Sequence, residues 1–224
     1  MFLPVYTSAI FLTLRLAICT TAILLVLGLP LAYWLATTRC RFRFLVEALV
    51  ALPIILPPTV LGFYLLVVLG PHCWVGRMIL AVTGERLPFT FAGILIGSVL
   101  FNFPFAVRPF AAAFAAVDRR LVEASWCLGV SRTQTYLRVV LPLAWPGILA
   151  GMVLAFAHTV GEFGVVLMVG GNIPGVTQTV STVIYDEVQA MNYGAANQLA
   201  LMLLGFSFAM LSLLYALQRR VLAL

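Results

Sequence analysis

Few side chains in this 224-residue sequence can do chemistry, and they fall in two places. One is a polar stretch from Asp118 to Pro142 that holds Glu123 and the arginines Arg119, Arg120, Arg132 and Arg138. The other is a scatter of single polar residues inside long apolar runs: Asn102, His158 and Glu162. A charged side chain at the centre of a bilayer costs about 2.5–3.5 kcal/mol on insertion scales, so a carboxylate there turns toward protein or a pathway, not lipid. His158 and Glu162 are four residues apart, which puts them on one helical face as natural partners. They read either as a structural pair that holds helices together or as residues of a pathway or gate.

What is missing removes several reaction classes. All 13 basic residues are arginine. Without a lysine, the chain lacks the phosphate-gripping residue of a P-loop and the amine of a Schiff-base enzyme. Cys19, Cys40, Cys73 and Cys127 have no C-x-x-C spacing and read as small packing residues. His72 and His158 are too far apart in sequence to suggest a metal cluster, and no nucleophile–base set is visible. A membrane enzyme is therefore disfavoured.

The elements that position these residues follow from composition. The sequence is 63% hydrophobic and 9% charged, with a mean hydropathy of +1.12. Soluble chains are about a quarter charged. This is an integral membrane protein. A helical crossing takes about 20 mainly apolar residues. Five segments qualify: about 9–36, 45–69, 89–112, 142–168 and 196–217. In lipid only a helix satisfies its own backbone, so the expected fold is all-α, with five transmembrane helices. The run from Leu16 to Thr38 carries no charge and is too long for a cleavable signal, so it reads as a retained span.

Arginine sets the direction. Arg39, Arg41, Arg43, Arg108, Arg119, Arg120, Arg132, Arg138, Arg219 and Arg220 fall on one side; Arg77 and Arg86 fall on the other, and Arg15 lies early in span one. The rich side is expected to be cytoplasmic, with the N-terminus outside and the C-terminus inside. Residues 113–141 then form a cytoplasmic loop and 170–195 an outer one. The Thr-rich part of the outer loop, Thr177 to Thr182, is apolar enough to re-enter the membrane if protein buries it. With no internal repeat, one domain over 1–224 is expected, its core at about 8–217.

Pro53, Pro57 and Pro58 remove three backbone donors from span two and predict a kink or break that lines a pathway. Asn102, in Phe101-Asn102-Phe103-Pro104, is a second buried polar candidate. Gly161 and Gly164 flank Glu162 and predict close helix approach. Arg108 either draws an anion to the inner mouth or extends to the headgroups.

The cytoplasmic loop reads as two short helices with a hinge. Val122 and Trp126 share a face of the first, about 118–128, and Arg119 can pair with Glu123. Gly129 falls where a helix turns off with positive φ. Ser131 opens a Ser-x-x-Gln capping box with Gln134. Pro142 is expected to interrupt the helix as span four begins. The pair is either an interfacial connector or a docking element for a cytoplasmic partner.

Here the sequence resembles a family. Glu123-Ala124-Ser125, Gly129, Val139 and Leu141-Pro142 repeat the E-A-A, Gly, aliphatic, Leu-Pro register of ABC importer permeases, with Ser and Val as mild departures. Leu52 to Gly62, Gly161-Glu162-Phe163-Gly164 and Gly171-Asn172-Ile173-Pro174-Gly175 are similar to molybdate permeases, and sulfate permeases share part of this pattern.

The resemblance implies a type I ABC importer transmembrane domain in the cell inner membrane. Its 118–142 loop, through Glu123, Ala124, Ser125, Gly129, Leu141 and Pro142, would be the coupling helix seated in a groove of the ATPase. Glu123, Ala124 and Ser125 are expected on the face pressed into that groove. Pro53, Pro57, Pro58, Asn102, His158 and Glu162 become pathway or gate candidates, although a bare Glu162 carboxylate would repel an oxyanion.

The chain itself is expected to be non-catalytic and to bind no cofactor or metal, ATP and Mg being on the partner. Implied partners are two cytoplasmic ATP-binding subunits, a second copy of this chain, an external molybdate-binding protein and the lipid bilayer, with no nucleic acid. The expected cargo is molybdate or tungstate, with sulfate or thiosulfate as the alternative. A secondary transporter is a further alternative and would need a coupling-ion site, for which only Glu162 is on offer.

Overall fold

In the computed structural model, the backbone is described for residues 3–222 and the side chains for 6–216. Arg219 and Arg220, used above to orient the C-terminus, lie outside the described side chains.

The described residues are helices joined by short turns. Helix α1 spans Leu3–Thr37, α2 Arg43–Ile55, α3 Pro58–Leu69, α4 Trp74–Thr83 and α5 Phe91–Ala115. Then come α6 Arg119–Cys127, α7 Arg132–Thr135, a π-helical stretch Tyr136–Val140, α8 Leu141–Val160, α9 Gly164–Gly170, α10 Val180–Gln189 and α11 Tyr193–Leu222. Four continuous helices are long and apolar enough to cross a membrane: Tyr6–Thr37, Phe91–Ala115, Arg132–Val160 and Tyr193–Ala216. Counted as one broken span, α2 and α3, which are bent by 110° at their junction, bring the candidates among the described residues to five.

The prolines explain that bend. Pro53 sits inside α2 without ending it, whereas Pro57 caps α3 and Pro58 opens it. Two adjacent residues without N–H groups cannot continue the ladder, but Pro at the first helical position loses nothing. The kink expected in span two is thus a corner at Leu56–Pro57.

Span four is corrected twice. Pro142 does not interrupt it: Arg132–Val160 runs as one 29-residue helix of about 44 Å. The π stretch Tyr136–Val140 lies just ahead of the proline, and such a widened turn re-routes backbone bonds that a regular helix would lose there. At the other end α8 stops at Val160, not 168, and Gly161 to Phe163 form a break before α9. Helix α4, inside the loop between spans two and three, has no counterpart among the expected segments.

The core forms where α1, α5 and α8 pack, around Leu24, Val107, Phe110 and Ile148. At the end of the bundle that carries Arg39, Arg41, Arg43, Arg119, Arg120, Arg132 and Arg138, the rings of Tyr33, Phe114 and Tyr136 meet, with centroids 4.7–6.1 Å apart. At the opposite end the Arg15 guanidinium lies 4.2 Å from the ring centre of Phe91, at the start of α5. Arg15 thereby covers its charge with a ring face where α5 begins, while α1 continues beyond it and packs on α10 through Ala9. Cys40 and Cys127 are exposed and Cys19 and Cys73 half-buried, so the expectation of four packing residues fails for the first two.

Candidate coupling and translocation sites

The loop at the arginine-rich end is assembled locally. Asp118 caps α6 by accepting from the Arg120 N–H at 2.9 Å. Arg119 pairs with Glu123 at 2.9 Å, and both are largely exposed. After α6, the Gly129 N–H donates to Trp126 O and the Val130 N–H to Ser125 O, the bond pattern of a Schellman turn. That turn needs a left-handed residue, and Gly129 has φ +76°. Ser131 caps α7 by accepting from the Gln134 N–H at 3.3 Å. This is the forward half of the expected capping box.

One placement differs from expectation. Ser125 is buried and its hydroxyl bonds Thr135, so it joins α6 to α7 and does not share the outward face with Glu123 and Ala124. Val122 also points inward, to the main core. Leu121, Trp126 and Leu128 stay exposed, and Arg132 lies over the Trp126 ring at 5.6 Å. Leu141 is half-buried and Pro142 exposed at the start of α8.

The second site lies near the middle of α5, where three interruptions of the backbone meet. They are the α2–α3 corner, the α8–α9 break and the start of α10. A Cβ on Gly164 would sit 2.6 Å from Pro58 Cβ, so only glycine allows α9 to approach the corner. Gly62 meets Met168 in the same way, with 2.6 Å to its Cβ. Gly161 does not serve close approach, because nothing lies within 3.9 Å of its Cβ position.

His158 and Glu162 do not pair directly. The break at Gly161 takes Glu162 off the helical face of His158, and Asn102 bridges them instead. The Asn102 side-chain N–H₂ donates to Glu162 Oε2 at 3.0 Å and to Ser98 O at 2.9 Å. Asn102 Oδ1 meets His158 Nδ1 at 2.8 Å. The imidazole stacks on Phe105 with centroids 3.9 Å apart. Asn102 is fully buried and Glu162 is 4% exposed. The Ser98 hydroxyl stands near the carboxylate, but neither Ser98 Oγ nor Glu162 Oε1 has a hydrogen-bond partner.

The third interruption lies in the Thr-rich segment for which re-entry was the expectation if protein buries it. Thr177, Gln178, Thr179 and Thr182 are all buried, which meets the condition set for re-entry. The chain turns at Gly171 and returns toward the core, and α10 then starts with a full capping box between Thr179 and Thr182. Ser181 Oγ donates to the Glu162 carbonyl at 2.6 Å, and the Val180 N–H donates to Thr13 Oγ1 at 3.0 Å. At the far end, Asn172 and Gln178 both donate to Asp186 Oδ2, and Tyr6 donates to Glu187. Ser98, Ser181 and Thr13 were not among the expected site residues. Only the Thr-x-x-Thr spacing of Thr179 and Thr182 hinted at a helix start there.

Arg108 is exposed and lines a cleft of about 230 Å³ with Leu35, Glu47, Val50, Val107 and Ala111. Glu47, which also lines it, is paired with Arg43 at 2.7 Å. Among the described residues, no three His, Cys, Asp or Glu side chains gather as a metal site.

Comparison with known proteins fits this geometry. The family described as "binding-protein-dependent transport system inner membrane component" matches residues 24–223. The chain is 50% identical to the molybdenum transport system permease protein ModB of Azotobacter vinelandii, over 95% of this chain and 94% of that one. It is 30% identical to a probable sulfate transport system permease protein of Chlorella vulgaris, over 96% of this chain and 80% of that one. In structure it is similar to a bacterial ABC transporter involved in the import of alginate, with a TM-score of 0.78 at 20% identity, covering 97% of this chain and 80% of that one.

Proposed function

This chain belongs to the family of inner membrane components of binding-protein-dependent transport systems, and from that premise we propose that it carries molybdate inward as the permease subunit of an ATP-binding-cassette importer. The observation that carries the reading is 50% identity to a molybdenum permease across nearly the whole of both chains. The weaker likeness to sulfate permeases keeps sulfate as the second cargo to test. Tungstate shares the tetrahedral geometry of both.

Transport runs by alternating access. Five crossings enclose little volume, so two copies of this chain form the path along their shared axis. Two ATP-binding subunits dock on the 118–142 loops, hold the ATP and Mg, and do the hydrolysis. This chain is non-catalytic and binds no cofactor. An external binding protein selects and delivers the anion. The arginine bias supports a cytoplasmic face at the loop end, an outer N-terminus and an inner C-terminus. The exposed Leu121, Trp126 and Leu128 support a partner on that face, because large apolar side chains left out in a polar loop mark interaction surfaces.

The test is uptake into vesicles that hold the chain with its ATPase and binding protein. ATP-dependent molybdate uptake that excess sulfate does not suppress supports the reading. Suppression by equimolar sulfate shifts the cargo, and uptake that needs no ATP removes the importer reading. A reporter fused after Leu224 should read cytoplasmic and one near Asn172 external.

A further inference from the structure

We infer that Asn102 is a positioning residue for translocation, one that links the end of the long α7–α8 rod to the chain break before α9 and, through Glu162, to the re-entrant helix α10. The inference rests on the importer reading for its cargo, but not for its geometry.

The bonding of the Asn102 amide has a polarity that almost no other side chain can supply. Its two N–H groups go to a carboxylate oxygen and to a main-chain carbonyl, while its oxygen faces an imidazole nitrogen. Turning the amide over would set its oxygen against two acceptors, which fixes its orientation. It also fixes His158 as the Nδ1–H tautomer, since Nδ1 must donate to Oδ1. Aspartate has the same shape but no N–H. Leucine fills the space but leaves Glu162 and His158 facing an apolar wall. Glu162, 4% exposed, cannot turn to bulk water instead.

The place of the bridge matters as much as its chemistry. The rod Arg132–Val160 starts in the loop at the arginine-rich end and ends two residues beyond His158. It is packed on α5 where Gly147 meets Ala113 and Gly151 meets Phe110. Helices α3 and α9 form a second packed pair through Gly62 and Gly164. Asn102 sits at the joint between these pairs. Beyond it, Glu162 passes the connection to α10 through its own carbonyl and Ser181. A displacement of the rod therefore reaches the re-entrant segment through hydrogen bonds that are costly to break and cannot be replaced by solvent.

The experiment uses the permease with its ATPase and binding protein in proteoliposomes and measures molybdate taken up per ATP hydrolysed. Asn102→Asp should lower this ratio about tenfold, the scale of one lost buried bond to a charged group, with the half-saturating molybdate concentration unchanged. The double variant Asn102→Asp, Glu162→Gln reverses donor and acceptor at the Glu162 contact in the same shape, and leaves only the Ser98 carbonyl, inside α5, without its side-chain donor. The amide introduced in place of the Glu162 carboxylate now donates, and His158 keeps its acceptor, so the ratio should return to within about threefold of wild type. A ratio unaltered by Asn102→Asp, or one just as low in the double variant, overturns the inference.

If Asn102→Asp yields no folded protein, Ser181→Ala takes its place. It removes the bond to the Glu162 carbonyl, together with the Ser181–Thr179 hydroxyl contact inside the α10 cap, and should lower the ratio about threefold; no change overturns the inference. A readout without cargo separates this from failure of the importer reading. In a variant with its four cysteines replaced by serine and Val176→Cys added, an impermeant maleimide should label the outer loop at a rate that changes when ATP binds. Asn102→Asp should abolish that change and the double variant restore it. Persistence of the ATP response in Asn102→Asp overturns the inference even if molybdate is not the cargo.

Discussion

In the loop at the arginine-rich end, every side-chain bond joins residues no more than ten positions apart, as from Ser125 to Thr135. At mid-depth, the bonds reach across 56 positions from Asn102 to His158, 60 from Asn102 to Glu162 and 167 from Thr13 to Val180. The loop keeps Leu121, Trp126 and Leu128 uncovered, while the mid-depth site buries nearly all it has. A region whose polar bonds are all local keeps them within itself and can leave its apolar surface for another protein. A region held by distant polar bonds exists only once the bundle has closed, and then it resists rearrangement. The contrast fits a docking piece at one end and a joint within the membrane. Substitutions should separate the two by what they destroy: folded bundle at the joint, partner recovery at the loop.

The largest loss is expected for Gly164→Val. Its Cβ would lie 2.6 Å from Pro58 Cβ at the corner between α2 and α3. Overpacking of this kind costs about 1–3 kcal/mol or more, and here both neighbours are pinned by backbone. Folded yield by size-exclusion chromatography should fall several-fold, before any question of transport. Normal yield would mean that α3 and α9 are free to part, and the joint would lose its rigidity.

Glu162 gives the next effect and divides by chemistry. Glu162→Leu removes the acceptor for one Asn102 N–H and should cost about 1–3 kcal/mol for a buried donor left unmade. Glu162→Gln keeps an oxygen for that N–H and should lower thermal stability by less than about 1 kcal/mol. Melting of the purified complex, compared for the two variants, is the measurement. Equal stability of both would show that the carboxylate is not held by Asn102.

How much of this was readable beforehand follows the same divide. The loop was legible because its signals are local: Ser131 as a cap, Gly129 as the left-handed stop, Arg119 and Glu123 one turn apart. The α2–α3 corner was legible for the same reason, in Pro57-Pro58. At mid-depth the residues were visible but not their arrangement. Helical spacing joined His158 to Glu162, and that spacing holds only while the helix lasts. The glycines on either side of Glu162 end it, and the third member, Asn102, comes from another helix. The burial of Thr177 to Thr182 likewise depends on α1 and α9. The inward turn of Ser125 depends on Thr135 in the next helix, which no face of α6 alone reveals.

Gly129→Val brings the effect to the loop. Its Cβ would meet nothing within 4 Å, so the whole cost is backbone, about 1–2 kcal/mol for φ +76° in a branched residue. The bundle should form and insert as before, because Gly129 touches none of it. The angle between α6 and the rod should shift, and co-purified ATPase per permease should fall about tenfold if that energy is lost from docking. Glu123→Arg, which breaks the pair with Arg119, should insert equally well and also weaken ATPase recovery. Wild-type recovery for both variants would leave the loop as a connector.

The smallest effect is expected for Ser131→Ala, and it sharpens the comparison because it touches the loop without changing its path. The Ser131 hydroxyl accepts from the Gln134 N–H at 3.3 Å, in full reach of water. A lost cap costs about 0.5–2 kcal/mol, with exposed sites at the low end, since water takes over the orphaned N–H. Gly129 keeps its left-handed turn, Ser125 still bonds Thr135, and the Thr135 N–H still donates to the Ser131 carbonyl. The first turn of α7 should therefore fray without moving α6. Hydrogen exchange at residues 132–135 should speed up about threefold, while ATPase recovery stays within about twofold of wild type. A loss as large as that of Gly129→Val would mean that docking depends on the rigidity of the rod's first turn as well as on the hinge.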